Sequence, residues 1–169
     1  MSITIRDAST RDLDQLIPLV VAFHHEHSRM IGSRSTRSLV AIGEEVRRFL
    51  TMSTGGYMVA VSGTGKLVGF RRWELHDGFY FTRDMYVVES ERRHGVARTL
   101  IRHFEKWLLE NEQTMACISC TPHNMAMIAL ARSEGYRTLN TIEMRKDLIA
   151  ERRTARGKGE ALGLVWKLL

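Results

Sequence analysis

The sequence predicts an α/β (α+β) fold in which a mixed, mostly antiparallel sheet is covered by helices on both faces. Three observations indicate it: two amphipathic helical patterns lie near the N-terminus, three strand patterns separated by turn signals follow, and helix and strand patterns alternate in the second half of the chain. The chain has 169 residues, which is close to the usual size of one domain, and it contains no internal repeats.

The first predicted elements are a strand and two helices. Ile3 and Ile5 alternate with polar residues, and residues 9–12 (STRD) resemble a capping box that opens a helix. Pro18 lies inside this helical pattern and removes one backbone hydrogen bond, so either a kink or a later helix start is expected. The second helix ends near Met52, and its apolar residues have helical spacing: Leu39, Ile42, Val46, Phe49 and Leu50.

Three predicted strands follow. Apolar runs at residues 57–61 and 67–70 flank a turn at residues 62–66 (SGTGK). After a second turn signal at residues 76–78 (HDG), residues 79–88 are rich in the aromatic and β-branched side chains that strands prefer. Because short turns join these strands, they should form an antiparallel meander.

The second half of the chain begins with an amphipathic helix that starts at Gly95. The apolar side of this helix carries Val96, Leu100, Ile101, Phe104, Trp107 and Leu108. A strand at residues 115–120, a helix at about residues 124–133 and a last strand at about residues 138–146 complete the order βααβββαβαβ. Gly135 is the left-handed cap residue that ends the last helix.

Residues 1–148 are expected to form the domain, and residues 149–169 a C-terminal extension that is first basic and then hydrophobic. The end of the extension, residues 162–169, is too apolar to stay in solvent. It should therefore dock either on the domain or on a second subunit, and the latter would make the protein a homodimer.

Composition and charge exclude several classes of protein. No run approaches the roughly 18 apolar residues that a membrane span needs, and the charged N-terminus lacks the apolar core of a signal peptide, so a cytoplasmic protein is expected. The net charge of +6 suits a phosphate-rich cofactor or nucleic acid. Because neither an aromatic-rich basic surface nor zinc-finger spacing accompanies this charge, nucleic acid is not the expected partner.

Two short groups contain residue types that bind metals or form redox pairs, but their positions in the sequence argue against those roles. Cys117 and Cys120 lie on a predicted strand, where side chains three residues apart point to opposite faces and cannot easily join. Residues 24–27 (HHEH) lack the His-x-x-x-His spacing that places two imidazoles one helical turn apart, so no metal site is predicted.

The most informative stretch is the strand-to-helix junction at residues 84–97 (DMYVVESERRHGVA). A helix N-terminus offers free backbone N–H groups and a partial positive charge, and Gly95 and the small Ala97 let an anion approach the backbone closely. Arg92 and Arg93 add charge-assisted hydrogen bonds. The junction is therefore predicted to bind a phosphate group.

This junction resembles the GNAT superfamily of acyl-CoA-dependent N-acetyltransferases. Its hallmark, Gln/Arg-x-x-Gly-x-Gly/Ala, is matched by Arg92, Gly95 and Ala97, and Asn124 followed by Gly135 and Tyr136 is similar to a second signature of the family. By element order the resemblance covers residues 1–148, and its most specific part runs from residue 57 to residue 148. It implies a sheet in which two central strands splay apart.

The resemblance further implies that acetyl-CoA is the acyl donor and lies where these strands splay. Its pyrophosphate would lie over the loop and helix start, at Arg92, Arg93, His94, Gly95, Val96 and Ala97. Its pantetheine arm would follow Met85, Tyr86 and Val87, and a backbone N–H near Tyr86 or Val87 would polarise the thioester carbonyl. Asn124 matches the position that contacts the cofactor arm, and it is also a good helix cap. Residues 24–27 either border the acceptor pocket, as that segment does in the family, or form a solvated helix face.

Aminolysis of a thioester needs a neutral amine, so a carboxylate near the splayed strands is expected to take its proton, directly or through water. Asp84 is the leading candidate and Glu74 and Glu26 are alternatives, although Arg83 stands where relatives often carry Glu. Ala131 replaces the tyrosine that usually protonates the departing CoA thiolate, so the general acid stays unassigned.

The sequence therefore predicts an N-acetyltransferase that transfers the acetyl group of acetyl-CoA to a primary amine by direct attack. The acceptor, whether a small molecule, a peptide or a protein, is left open. Because of the departure at Ala131, the alternative interpretation is a regulatory module that binds acyl-CoA without catalysis.

Overall fold

The computed structural model describes residues 2–33, 37–144, 146, 148, 157–161 and 164–168, the last two ranges as backbone only. Residues 1–25 and 37–119 form one compact unit, which contains the main sheet and is called the sheet unit below. Residues 26–36 and 120–169 form a second, smaller unit.

The helices and strands follow one another as β1 (Ile3–Asp7), α1 (Leu13–Ile31), α2 (Leu39–Thr51), β2 (Gly55–Ser62), β3 (Leu67–His76), β4 (Phe79–Val87), α3 (Val96–Glu110), β5 (Cys117–Ile118), α4 (Met125–Ser133), β6 (Gly157–Ala161) and β7 (Leu164–Leu168). Short 3-10 turns precede α1 at Thr10–Asp12 and follow β4 at Glu89–Glu91. Among the described helices, none is both long and apolar enough to cross a membrane.

The main sheet has the strand order β1-β2-β3-β4-β5. The first four strands pair antiparallel, and β5 pairs parallel with β4, which confirms the predicted mixed and mostly antiparallel sheet. A bulge interrupts the β3–β4 ladder, because Arg72 pairs with Asp84 whereas Trp73 pairs with Thr82. Arg83 is therefore an extra residue on β4.

Each face of the main sheet carries its own hydrophobic cluster, so the prediction of helices on both faces is confirmed. One cluster joins α1 and α2 to the sheet: Leu16, Val20, Ile42, Val46, Phe49, Tyr57, Val59, Leu67 and Phe70. The other joins α3 to the opposite face: Met58, Ala60, Val68, Trp73, Val87, Val96, Leu100, Phe104 and Leu108.

The start of α1 confirms the predicted capping box. The Ser9 side chain accepts a backbone hydrogen bond from the first turn, and the Asp12 carboxylate accepts the Ser9 backbone N–H at 2.8 Å. Asp12 also takes two hydrogen bonds from the Arg6 guanidinium, at 2.8 and 2.7 Å. Pro18 lies inside α1, which continues to Ile31, so the helix neither starts late nor stops at the proline.

Two strand predictions were wrong in the second half. β5 spans two residues instead of six, because it leaves the side of β4 after Ile118 and loses its ladder. Residues 138–144 form no strand. The apolar side chains of this segment, Leu139, Ile142 and Met144, are exposed. An extended segment forms a strand only where a neighbouring backbone completes its hydrogen bonds. The hairpin of β6 and β7 lies in the C-terminal extension, where no strand was predicted.

Candidate active site

The edge of β4 opens where β5 diverges. Within the described residues, β5 pairs with β4 only at Phe81 and Thr82, and the last backbone contact is the Ser119 N–H donating to the Thr82 carbonyl at 3.0 Å. Residues 83–87 of β4 therefore present an unpaired edge to the space beside them. The divergence of β4 and β5 agrees with the splayed strands that the resemblance implies, although β5 is the edge strand of the described sheet.

The bulge decides which backbone groups point into this opening. The Val88 N–H donates to the Val68 carbonyl at 2.9 Å, on the β3 side. Because alternate residues of an antiparallel ladder face the same neighbour, the N–H groups of Val87 and Met85 point the other way, toward the open edge. Without the extra residue Arg83, residues 84 and 86 would face it instead.

The side chains of β4 alternate in the same way. Tyr86 packs in the cluster beneath α1 and α2, whereas Met85 and Val87 pack in the cluster beneath α3. The strand therefore directs its N–H donors into the opening, and Tyr86 lies on the face that α1 and α2 cover. Asp84, two residues before Tyr86, shares that face.

The N-terminus of α3 follows this opening after a short turn. Gly95 precedes the helix with φ of 84°, and no side chain in the described part of the chain caps the first turn. A Cβ atom at Gly95 would meet no described heavy atom within 4 Å. An anion can therefore reach the N–H groups of the first turn without a side chain in between.

The predicted phosphate-binding residues have different roles in the structure. Arg93 and His94 are exposed and Ala97 is half-buried, whereas Val96 is buried in the α3 cluster and offers its backbone. Arg92 turns back toward β4: its Nε donates to the Val87 carbonyl at 2.8 Å, and its guanidinium lies 5.4 Å from the centre of the Tyr86 ring. Arg92 thus braces the turn between β4 and α3.

The two leading base candidates belong to one charged network on β3 and β4. Arg72 binds Asp84 through Nε and Glu74 through Nη1, the latter at 3.1 Å. Arg83 donates to the other Glu74 oxygen at 2.6 Å. Asp84 lies along the unpaired part of β4, whereas Glu74 pairs opposite Phe81, where β5 is still attached. Of the two, Asp84 is thus the carboxylate next to the opening.

A second polar group under α1 and α2 was not predicted as a unit. Arg37 bridges His24 on α1 and Glu45 on α2, with Nη1 3.2 Å from the His24 Nε2 and Nη2 2.6 Å from the carboxylate. Tyr57 on β2 is 2% exposed, and its hydroxyl makes no hydrogen bond to any described residue. Burial raises the pKa of Tyr57, so the phenol stays protonated.

These groups interact electrostatically with the Asp84 network. Burial lowers the pKa of His24, the charges of Arg37 and Arg72 lower it further, and Asp84 and Glu45 oppose the shift. The HHEH run pointed to the end of α1 as a candidate acceptor-pocket border. Nothing in the sequence indicated that Arg37 joins His24 to Glu45.

The remaining predicted site residues lie in the smaller unit. Asn124 caps α4, and its Oδ1 accepts the Met127 N–H at 3.0 Å, so its role as a helix cap is confirmed. Ala131 is buried on that helix, so a tyrosine ring there would require its neighbours to move. Glu26, the third base candidate, also belongs to this unit.

The two cysteines are free thiols, one buried and one exposed. Burial raises the pKa of the Cys117 thiol, which is therefore not activated as a thiolate. Cys120 lies outside β5 and is exposed, so it does not have the buried strand position that the sequence predicted.

Comparison with known proteins identifies related sequences and folds. A family model described as the acetyltransferase (GNAT) family matches residues 22–136. Among solved structures, a probable acetyltransferase shares 20% identity with a TM-score of 0.71, over 89% of this chain and 99% of that chain. The aminoglycoside N-acetyltransferase AAC(6')-Iy in complex with CoA shares 15% identity with a TM-score of 0.72, over 88% of this chain and 96% of that chain.

A ribosomal-protein-alanine N-acetyltransferase from Brucella melitensis biovar Abortus 2308 shares 16% identity with a TM-score of 0.70, over 86% of this chain and 100% of that chain. At these identities the likeness to solved structures shows the fold. A comparison with curated protein sequences gives no match.

Proposed function

Because this chain belongs to the acetyltransferase (GNAT) family, we propose that it transfers the acetyl group of acetyl-CoA directly to a primary amine of an acceptor. The observation that carries the proposal is the position of the uncapped N-terminus of α3 directly after the unpaired edge of β4. The N-terminus of α3 suits a pyrophosphate, and the unpaired edge of β4 suits the arm that carries the thioester. A short turn separates the two.

The pyrophosphate of acetyl-CoA binds at the first turn of α3, where Gly95 leaves the backbone accessible. Arg93 and His94 lie exposed beside this turn and add positive charge or donors. Arg92 supports the site because it donates a hydrogen bond to the Val87 carbonyl at the end of β4. The charge surplus of +6 favours a cofactor with several phosphate charges.

The pantetheine arm runs along residues 85–87 of β4 and extends the sheet where β5 has left. The N–H of Val87 or Met85 then donates to the thioester oxygen and stabilises the negative charge that develops on it, an effect of about 10²–10³-fold for one donor.

The acceptor amine attacks from the face of β4 that α1 and α2 cover. Asp84 assists the removal of its proton, directly or through an intervening group or water. The amine nitrogen forms a bond to the carbonyl carbon, and the carbon–sulfur bond breaks with its electron pair on sulfur. A thiolate is a good leaving group, so the reaction tolerates Ala131 at the position of the usual tyrosine.

The test incubates the full chain with acetyl-CoA and a panel of amines: an aminoglycoside, a polyamine, free amino acids and peptides with a free N-terminus. Product masses and the release of free CoA thiol are measured, and enzyme without acceptor corrects for hydrolysis and for the exposed Cys120. At least one amine should gain an acetyl group. Binding of CoA without acetylation of any amine would favour the regulatory module instead.

A further inference from the structure

The polar group beneath α1 and α2 combines a histidine, an arginine, a glutamate and a buried tyrosine. His24, Arg37, Glu45 and Tyr57, called the imidazole cluster here, come from α1, the segment before α2, α2 itself and β2. All four belong to the sheet unit. Phe23, next to His24, packs on Phe70 with 6.1 Å between ring centres, and Phe70 packs on Tyr86 at 6.3 Å, so the cluster adjoins the unpaired part of β4. Arg72 interacts electrostatically with all four residues, and Asp84 with three of them, His24, Arg37 and Tyr57.

The hydrogen bond to Arg37 indicates which nitrogen of the neutral His24 ring carries the proton. A guanidinium can only donate, so the His24 Nε2 that faces Arg37 at 3.2 Å must accept and carries a lone pair. The proton of the neutral ring is then on Nδ1. Arg37 has a second partner in Glu45 at 2.6 Å, so it remains paired when another donor takes its place at Nε2.

The hydroxyl of Tyr57 offers an unfilled hydrogen-bonding position on the same face of the sheet. Tyr57 is buried among aromatic rings, with Phe70 at 5.6 Å and Phe49 at 6.1 Å between ring centres, yet its hydroxyl has no partner among the described residues. A buried hydroxyl without a hydrogen bond costs about 1–3 kcal/mol. An amine in the cluster would satisfy it by donating to its oxygen.

The carboxylates of this region are already engaged by arginines, Glu45 by Arg37 and Asp84 by Arg72. The imidazole differs from them, because it is neutral and its Nε2 lone pair accepts only one hydrogen bond, from Arg37, which an incoming amine can replace. A negative carboxylate nearby then stabilises the imidazolium that forms, which is a role that Asp84 fills.

We propose that His24 is the catalytic residue that receives the proton of the acceptor amine, an inference that rests on the proposed acetyl transfer. The ammonium group gives one proton to Nε2 and becomes a neutral amine, whose lone pair attacks the thioester carbon. As the carbon–sulfur bond breaks, sulfur takes the electron pair and then the second nitrogen proton. His24 afterwards returns its proton to solvent, and the site is regenerated.

The main test compares His24→Gln with His25→Gln in the full chain, using an amine that the wild-type protein acetylates. His25 is the exposed neighbour on the same helix and serves as the matched control. His24→Gln should lower kcat/KM for the amine by about 10²–10⁴-fold and abolish the acidic limb of the pH profile. Acetyl-CoA affinity and the unfolding midpoint should match those of the control.

The two proposals fail in different ways. If the wild-type chain acetylates an amine and His24→Gln keeps its kcat/KM and pH profile, the role of His24 is refuted while acetyl transfer stands. If the wild-type chain binds CoA but acetylates no amine, acetyl transfer fails and the role of His24 fails with it.

A second measurement needs no acceptor. The ¹⁵N chemical shifts of the His24 ring in the full chain should show the Nδ1–H form, with a titration midpoint below the usual range of an imidazole. Arg37→Gln should move the midpoint upward, because it removes a positive charge and leaves Glu45 unpaired. A His24 ring that is protonated at neutral pH, or a midpoint that Arg37→Gln does not raise, would overturn the assignment.

Discussion

A single inserted residue on β4 organises the candidate site. Arg83 bulges out of the β3–β4 ladder, and the residues after it are therefore shifted by one position relative to β3. This shift turns the N–H groups of Met85 and Val87 into the opening and leaves Asp84 on the face of α1 and α2. The donors proposed for the thioester and the charge proposed to act on the amine thus come from one strand.

We expect Asp84→Asn and Glu74→Gln to separate the two carboxylates that share Arg72. Asp84→Asn keeps the shape of the side chain but removes the negative charge beside the opening, so kcat should fall by about 10²-fold or more. Glu74→Gln breaks half-buried ion pairs away from the opening and should mainly cost about 1 kcal/mol of stability. Steady-state kinetics and urea unfolding measure both effects, and the reverse result would transfer the role to Glu74.

Gly95→Val tests the cofactor site, with Gly78→Val as its matched control. Both glycines have positive φ, 84° and 80°, and a Cβ at either would meet no described atom within 4 Å. Each variant should therefore lose a similar stability of about 1–2 kcal/mol. Only Gly95→Val places a side chain in front of the α3 N-terminus, so only it should lose CoA affinity by calorimetry. Unchanged affinity in Gly95→Val would mean that the cofactor site is misplaced.

At the scale of elements, helix caps were predictable because their signal lies within a few neighbouring residues. The ends of strands were not predictable, because they depend on a pairing strand elsewhere in the chain. The capping box before α1, the Asn124 cap of α4 and the glycine before α3 are contained within a few residues, and the structure has each of them. The strand expected at residues 138–146 depended on a neighbouring strand that its own sequence does not specify. The same reasoning explains why β5 is short.

The candidate site likewise has one part that the sequence predicts and one part that only the fold reveals. The phosphate-binding junction is one continuous stretch of sequence, so its glycine and its position before a helix are readable directly. The imidazole cluster joins His24 and Arg37, 13 residues apart, with residues of α2 and β2. No spacing rule links residues on different elements, so only the fold reveals that they meet.

The start of α1 gives a prediction about pH. The Arg6 guanidinium, followed by the Ser9 backbone N–H, lowers the pKa of Asp12 to about 2 despite its burial. Because the folded pKa lies below the unfolded value, Asp12 stabilises the fold above about pH 4, and this contribution is lost as pH falls toward 2. Asp12→Asn should cost about 1–2 kcal/mol at pH 7, less than the full shift implies because Arg6 is half-exposed.

Urea unfolding of wild type and Asp12→Asn at pH 7 and at pH 2.5 checks this. The difference between the two proteins should shrink at the lower pH, where the wild-type carboxylate takes up its proton. A difference of equal size at both pH values would show that the charge of Asp12 contributes nothing to the cap.

For the whole molecule, the charge surplus of +6 and the open α3 N-terminus predict strong stabilisation by acetyl-CoA. A ligand at 100 times its Kd adds about 2.7 kcal/mol, which raises Tm by roughly 5–10 °C for a chain of this size. The shift should decrease as salt screens the phosphate charges. Thermal unfolding with acetyl-CoA measures it, and a Tm that acetyl-CoA leaves unchanged in the wild-type chain would contradict the cofactor assignment.

The C-terminal extension, residues 149–169, gives the last prediction, which concerns assembly. β6 and β7 form a two-stranded sheet of their own, separate from the main sheet. An isolated hairpin of this kind is marginally stable in water, and the sequence of β7, LVWKL, is mostly apolar. We propose that the hairpin is stabilised by the same hairpin of a second copy, which would make the protein a homodimer with twofold symmetry.

Removal of all residues from Gly157 onward should then convert a dimer into a monomer, measured as solution mass by light scattering. Residues 1–148 contain every predicted site residue, so the truncated chain should keep its CoA affinity and serve as its own folding control. Trp166→Glu should weaken the dimer in the intact chain, because it introduces a charge into a mostly apolar strand sequence. Equal solution masses of the full and truncated chains, whether both are monomers or both are dimers, would remove the hairpin from assembly and favour docking on its own domain.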